Sequence, residues 1–179
     1  PLWPVIPCAM PGAGDNAAEL FSMLNPIHHA ATRTGVHRYK VEPYVASADV
    51  YSQPPHVGRG GWTWYTGSAG WMYQAVVERI LGLRRNGATF TVAPNIPAMW
   101  PAFSVAWKLG QTSYHISVLN PDHRCCGVGS AALDGVSVDP DAIPLLDDGS
   151  THNVVVTLGD ASARILPSST VAATGSPVP

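Results

Sequence analysis

The chain has 179 residues, enough for one domain or two small ones with a genuine core. Charged residues make up 12% and the net charge is −2, with no basic run and no zinc-like Cys/His spacing, which argues against a nucleic-acid partner. No apolar stretch reaches the ~20 residues of a membrane span, and no charged stretch leads into an apolar run as in a signal peptide.

The chain opens at Pro1-Leu2-Trp3 without a methionine and reads as a fragment of a longer gene product. Its three cysteines are Cys8, Cys125 and Cys126. An odd count with one adjacent pair is no disulfide framework, so a reducing, cytoplasmic setting is expected. Vicinal cysteines bridge only with strain, so free thiols are expected.

Asp15 reads as the cap of a helix that keeps Ala17, Leu20, Phe21 and Leu24 on one face, and Asn25-Pro26 ends it. His28 and His29 are adjacent and point apart, so they form no chelating pair. Residues 25–61 read as loop, apart from a short helix near 45–51. A second helix is expected from Gly67 or Ser68 to Gly82, which fits a helix stop. Met72, Val76, Ile80 and Leu83 form one apolar stripe on it, and Ala69, Tyr73, Val77 and Leu81 a second. Gln74, Glu78 and Arg79 leave only a narrow polar edge. So apolar a helix is expected to be mostly buried, and the few helices here are too few to cover it.

After Gly87 the period becomes two. Phe90 and Val92, then Phe103, Val105, Trp107 and Leu109, alternate with small or polar residues. Gly110-Gln111 turns the chain into Thr112, Tyr114, Ile116 and Val118, with His115 on the polar phase. Further strands are expected at 135–138 and 153–158, together forming an antiparallel β-sandwich. From residue 167 the Ser/Thr/Pro-rich tail has no periodicity and reads as disordered.

The chemistry concentrates between Gly58 and Leu83, in GRGGWTWYTGSAGWMYQAVVERILGL. A helix start exposes unpaired N–H groups under the positive end of the macrodipole, which suits a phosphate. Thr66, Gly67 and Ser68 occupy that start, with Arg59 nearby in sequence. Trp62, Trp64 and Trp71 offer flat faces of the kind that stack on sugars. Phosphate beside aromatic platforms points to carbohydrate phosphorolysis or a relative of it. Each residue also has a plainer reading. Thr66-Gly67-Ser68 could be an ordinary N-cap, and Arg59 could hold loop carbonyls. Glu42, kept extended by Pro43, could anchor its loop rather than contact sugar, and the structural role is favoured. Tyr44 and Asp49 carry the same two readings, and Trp71 points with Ala75 toward a core. No Ser/His/Asp or Cys/His constellation and no metal set emerges from the spacing.

The segments YKVEPYVASADVY (39–51), GRGGWTWYTGSAGWMYQAVVERILGLRR (58–85) and IPAMWPAFSVAWKLGQTSYHISVLNP (96–121) resemble glycoside hydrolase family 94. That family includes cellobiose and chitobiose phosphorylases and the phosphorylase-like domain of cyclic β-1,2-glucan synthases. LFSMLNPIHHA (20–30) and the ADVY after EPYV look more like the glucan synthase branch. The resemblance implies an α+β arrangement: residues 1–87 as the last helices of an (α/α)6 barrel, 88–166 as a C-terminal antiparallel β-sandwich, and 167–179 as a tail. It implies inverting transfer of a β-linked glucosyl unit to inorganic phosphate, the co-substrate, with no further cofactor. The general acid would lie upstream of Pro1, so no catalytic residue is assigned here and this piece alone is expected to be inactive. Of the family's phosphate site, Thr66 and Gly67 carry over. The implied partners are β-glucan or a gluco-oligosaccharide and phosphate, and the parent would sit at a bacterial inner membrane. Two alternatives stand beside this: a piece of a stand-alone cellobiose or oligosaccharide phosphorylase, or a non-catalytic glucan-binding module using Trp100, Trp107 or Tyr114.

Overall fold

The structure is a computed structural model that describes residues 12–160. Cys8, the opening tripeptide and the 167–179 tail lie outside the described residues. Helices come first and strands follow, an α+β order. The helices are α1 (Gly14–Leu24), α2 (Pro26–His29), α3 (Arg33–Tyr39) and α4 (Thr66–Gln74), the last continuing as a π-helix over Ala75–Ile80. A short ladder, β1 (Asp49–Val50) with β2 (Gly60–Gly61), lies between α3 and α4. No helix among the described residues is long and apolar enough to cross a membrane.

The face expected of α1 forms: Ala17 is fully buried, and Leu20, Phe21 and Leu24 pack on the same core. Asp15 is not its cap. The helix begins two residues earlier, with Ala13 at the N-cap, and the Asp15 carboxylate instead accepts the Ala98 N–H at 3.2 Å, tying α1 to the sheet region. Asn25 closes α1 and caps α2 through its side chain. His28 and His29 then turn back onto the end of α1, where their ring nitrogens reach the carbonyls of Ser22 (3.1 Å) and Met23 (2.7 Å).

The helix expected near 45–51 is instead extended and carries β1. The helix in this region lies upstream, as α3, capped by the Thr32 hydroxyl on the Gly35 N–H. The long helix starts at Thr66 and changes pitch at Ala75. Leu81 N–H reaches Val76 O at 2.8 Å, five residues back. The wider turn puts residues five apart on one side, so Ala75 and Ile80 both enter the core. The rest of this helix is not buried within the chain: α4 has no buried residue, and Trp71, expected to follow Ala75 inward, is 43% exposed. Gly82 does stop the helix. Its φ is 73°, and a Cβ there would strike the Ala93 carbonyl, so only glycine fits.

Eight strands follow: β3 (Leu83–Asn86), β4 (Thr89–Val92), β5 (Ala102–Leu109), β6 (Thr112–Leu119), β7 (Val128–Leu133), β8 (Val136–Val138), β9 (Ile143–Pro144) and β10 (Thr151–Leu158). They form a three-stranded sheet, β3-β4-β9, and a five-stranded sheet, β5-β6-β10-β7-β8. The expected all-antiparallel pairing is corrected at one ladder. β10 runs parallel to β6, from Thr151 opposite Ser113 to Thr157 opposite Leu119, and antiparallel to β7. β3 and β7 are strands that the alternation did not reveal. A boundary at 87 falls in the β3–β4 hairpin, where Asn86 pairs with Thr89, so a cut there would separate paired strands.

The two sheets meet through aromatic edges. Phe90 of β4 lies 5.4 Å from the Trp107 ring and 5.6 Å from the Tyr114 ring, both edge-on. Ile116, Val118, Val154 and Val156 extend the same core, which also takes in Ala17, Ala75 and Ile80 from the helices. Asn120, 1% exposed, staples the loop after β6. Its amide nitrogen reaches the Trp100 and Arg124 carbonyls at 2.9 and 2.8 Å, and its Oδ1 accepts the Arg124 N–H at 2.8 Å. Cys125 and Cys126 are free thiols 3.9 Å apart. Burial, then the neighbouring Cys125, pushes the Cys126 thiol up. His115 is exposed, as its phase requires.

Candidate functional site

The loop that leads into α4 is shaped by glycines that have no room for a side chain. A Cβ on Gly60 would meet the Tyr39 ring at 2.9 Å, and one on Gly61 would meet the Asp49 carboxylate and the Tyr51 ring. This close approach lets β1 lie against β2 with Asp49 opposite Gly61. Further bonds lace the two segments: Tyr51 N–H to Arg59 O at 2.9 Å, Ala48 N–H to Trp62 O at 3.2 Å and Tyr65 N–H to Ala46 O at 3.2 Å. Beneath them Tyr39 is buried, its hydroxyl 3.1 Å from Ser47 Oγ and its ring stacked 4.7 Å from His29.

Held this way, the chain projects aromatic side chains outward. Trp62 and Trp64 are 79% and 64% exposed, and both have left-handed backbones, with φ of 51° and 61°. That conformation costs a bulky residue about 1–2 kcal/mol, and such strain gathers at functional sites. The Tyr44 ring lies edge-on to Trp64 at 6.2 Å, and the Trp62 and Tyr65 rings are 6.5 Å apart.

Next to these rings the helix begins. Tyr65 holds the N-cap position and makes no side-chain cap, so Thr66 is the first helical residue rather than the cap. The first bond of the helix runs from the Ala69 N–H to the Tyr65 carbonyl at 3.1 Å. The N–H groups of Thr66, Gly67 and Ser68 precede it and point out of the helix end. Thr66 and Gly67 are exposed, and Ser68 is half-buried. A Cβ on Gly67 would find only the Tyr65 ring, 4.0 Å away, so the approach to these donors is open.

Ser68 and Asp49 line one small crevice of about 40 Å³ with Ser47 and Met72. Tyr44 and Trp64 come together, as do the helix start and Trp62 through Tyr65. Arg59 is exposed on the loop, and no hydrogen bond joins its guanidinium to Thr66, Gly67 or Ser68 among the described residues. Glu42 is half-buried in a turn where its carbonyl accepts the Val45 N–H at 3.2 Å. Tyr114 is fully buried and so is closed to a glucan, whereas Trp100 is 38% exposed. Sequence reasoning missed Tyr39 and Ser47 as the support under the loop. Tyr39 opens the quoted YKVEPY segment, but its burial has no signature in spacing.

Residues 1–82 match the model of the glycosyl hydrolase 94 superfamily, catalytic domain. Over these residues the chain is similar to this superfamily. The family-94 match takes in the whole loop and helix start and ends at Gly82, where the helices give way to β3. Similarity to individual family-94 proteins reaches further. A cyclic beta-(1,2)-glucan synthase, NdvB, of Rhizobium meliloti (strain 1021) is 45% identical over 116 residues, which is 65% of this chain and 4% of that protein. An N,N'-diacetylchitobiose phosphorylase of Vibrio furnissii is 36% identical over 160 residues, 88% of this chain and 19% of that enzyme. A solabiose phosphorylase of Paenibacillus borealis is 31% identical over 147 residues, 81% of this chain and 19% of that enzyme. The chain therefore spans less than a fifth of the length of these relatives.

Proposed function

We propose that this chain is part of a family-94 catalytic unit that acts on β-linked glucan, of the cyclic β-1,2-glucan synthase type. Its helices would close an (α/α)6 barrel, and its strands would form the β-sandwich packed beneath it. Inorganic phosphate would be bound at the start of α4, by the Thr66 hydroxyl and the N–H groups of Gly67 and Ser68. Arg59 would add charge at longer range, and Trp62 and Trp64 would flank the sugar, with Glu42, Tyr44 and Asp49 around them. Phosphate would attack the anomeric carbon with inversion, while a general acid outside this chain protonates the departing oxygen. No other cofactor enters this scheme, and the parent protein would work on the cytoplasmic side of an inner membrane.

The observation that carries the reading is the uncapped start of α4. Three N–H donors at the helix start lie near exposed aromatic rings, with Thr66 as the first helical residue, and an anion bound there would gain hydrogen bonds and the helix dipole together. The test is Thr66→Val in the complete parent protein, which keeps volume and removes the hydroxyl. A charge-assisted hydrogen bond is worth about 1.5–3 kcal/mol, so the apparent phosphate constant should rise about ten- to a hundredfold. The glucan constant should stay nearly unchanged. An unchanged phosphate constant, or a selective loss of glucan binding, would rule the site out as a phosphate site.

A further inference from the structure

At the far end of the five-stranded sheet a histidine sits between two carboxylates. His152, on β10, has a side chain only 8% exposed. Its Nδ1 lies 2.7 Å from Asp134 Oδ2, in the turn between β7 and β8, and its Nε2 lies 3.2 Å from Asp148 Oδ1, in the loop before β10. One face of the ring lies against Tyr114, 5.3 Å away. A neutral imidazole carries one N–H and one lone pair, so it can donate to one carboxylate and must turn its lone pair on the other. Only the imidazolium satisfies both contacts.

We infer that His152 is a protonation-dependent clamp: as imidazolium it fastens Asp148 to the sheet, and on losing its proton it lets that carboxylate go, while the bonds from Gly149 to Thr112 and from Ser113 to Ser150 keep the rest of the loop in place. The shorter contact, to Asp134, keeps the remaining proton on Nδ1, so the Asp148 side opens first. Asp134 is further fixed by accepting the Asn153 N–H at 2.7 Å, whereas among the described residues Asp148's other bond, to the Ser150 N–H at 2.9 Å, stays within its own turn.

The other titratable groups around the ring are Asp147, beside Asp148, and Tyr114 of β6. Asp147 accepts from the Thr112 hydroxyl, and the Tyr114 hydroxyl exchanges bonds with the Leu146 backbone. The bond to Asp134 leads the causes that hold the His152 proton above its usual value of 6.5. Asp134 is held below 3.8, first by the Asn153 N–H and then by His152. Asp148 is held below 3.8, first by the Ser150 N–H and, among the side chains, chiefly by His152. The sign follows from these directions. A raised histidine contributes fully below 6.5 and loses its contribution as pH climbs through its folded value. The lowered carboxylates contribute above 3.8 and lose theirs as pH falls through their own. The clamp is therefore closed in mildly acidic solution and opens on the alkaline side of 6.5.

NMR titration of the His152 ring in the 179-residue chain tests this without a variant. The ring should titrate above 6.5, and amide exchange at Ser150, whose N–H bonds Asp148, should quicken through the same midpoint while the Gly149 amide, held by the Thr112 hydroxyl, and the β6 amides stay protected. Asp134→Asn should move the midpoint down. In melting curves, the difference between the chain and His152→Gln should shrink steadily from pH 6 to pH 9. A ring titrating at or below 6.5, Ser150 exchange that ignores its midpoint, or a pH-independent His152→Gln difference would overturn the clamp.

Discussion

The sheet region and the helical region satisfy their side chains in opposite ways. From β4 to β10 a set of large residues is turned inward: Phe90, Tyr114, Ile116, Val118, Val154 and Val156 are all at most 1% exposed, while Met99 and Val136 stay outside. In the segment around α4 the large residues face outward. Tyr44, Trp62, Trp64 and Tyr73 are each more than 60% exposed, and Tyr65 and Trp71 close to half. Exposed aromatic residues gathered along one segment are what binding and contact faces look like. The sheets hold themselves together, and the helical region is arranged to meet something else. Left-handed backbones occur in both regions, at the two exposed tryptophans and at His123 and Asp134 among the strands.

Three substitutions probe that contrast. The largest effect is expected in the sheet core. Phe90→Ala removes the ring that joins the two sheets and should cost about 3–5 kcal/mol in urea denaturation. A loss below about 1 kcal/mol would mean that the sheets do not depend on each other. Next comes Gly61→Ala, whose methyl would collide with Asp49 and Tyr51. Overpacking costs about 1–3 kcal/mol, and here it should stay local. Amide exchange at 62–68 should rise while β6 and β10 remain protected, and parallel loosening of both regions would erase the contrast. The smallest effect is expected from Trp64→Gly. It relieves about 1–2 kcal/mol of backbone strain and forfeits about 0.5–1.5 kcal/mol of edge contact with Tyr44. Stability should thus change by between about −0.5 and +1.5 kcal/mol, while on the proposed function the glucan constant of the parent protein worsens. A marked fall in stability would show that the ring is structural.

The sequence made some of this visible and hid the rest for physical reasons. Alternation over 103–118 marks β5 and β6 because large apolar side chains repeat every second residue. β7 escapes because VGSAAL packs through small residues, and β3 because its arginines leave only Leu83 buried. Which strand lies beside which is a long-range matter, so the parallel pairing of β10 with β6 has no local signal. α3 is masked by Gly35 and by polar residues. At the site, the helix start and the outward tryptophans are legible from residue types. That Tyr65 and not Thr66 occupies the cap position depends on how Gly60 and Gly61 press the loop against Tyr39 and Asp49.

The position of β10 has a further consequence for the order in which the molecule assembles. It is the last described strand in the chain, yet it sits in the middle of its sheet between β6 and β7. During synthesis, β5 and β6 can close at once through the Gly110-Gln111 turn, while the other edge of β6 waits for a strand about 40 residues downstream in sequence. Until Thr151–Leu158 has emerged, β6 and β7 each present an open row of backbone donors and acceptors. Completion of the sheet is thus set by translation of its final segment, and a stall shortly before residue 151 would leave a half-sheet with two adhesive edges.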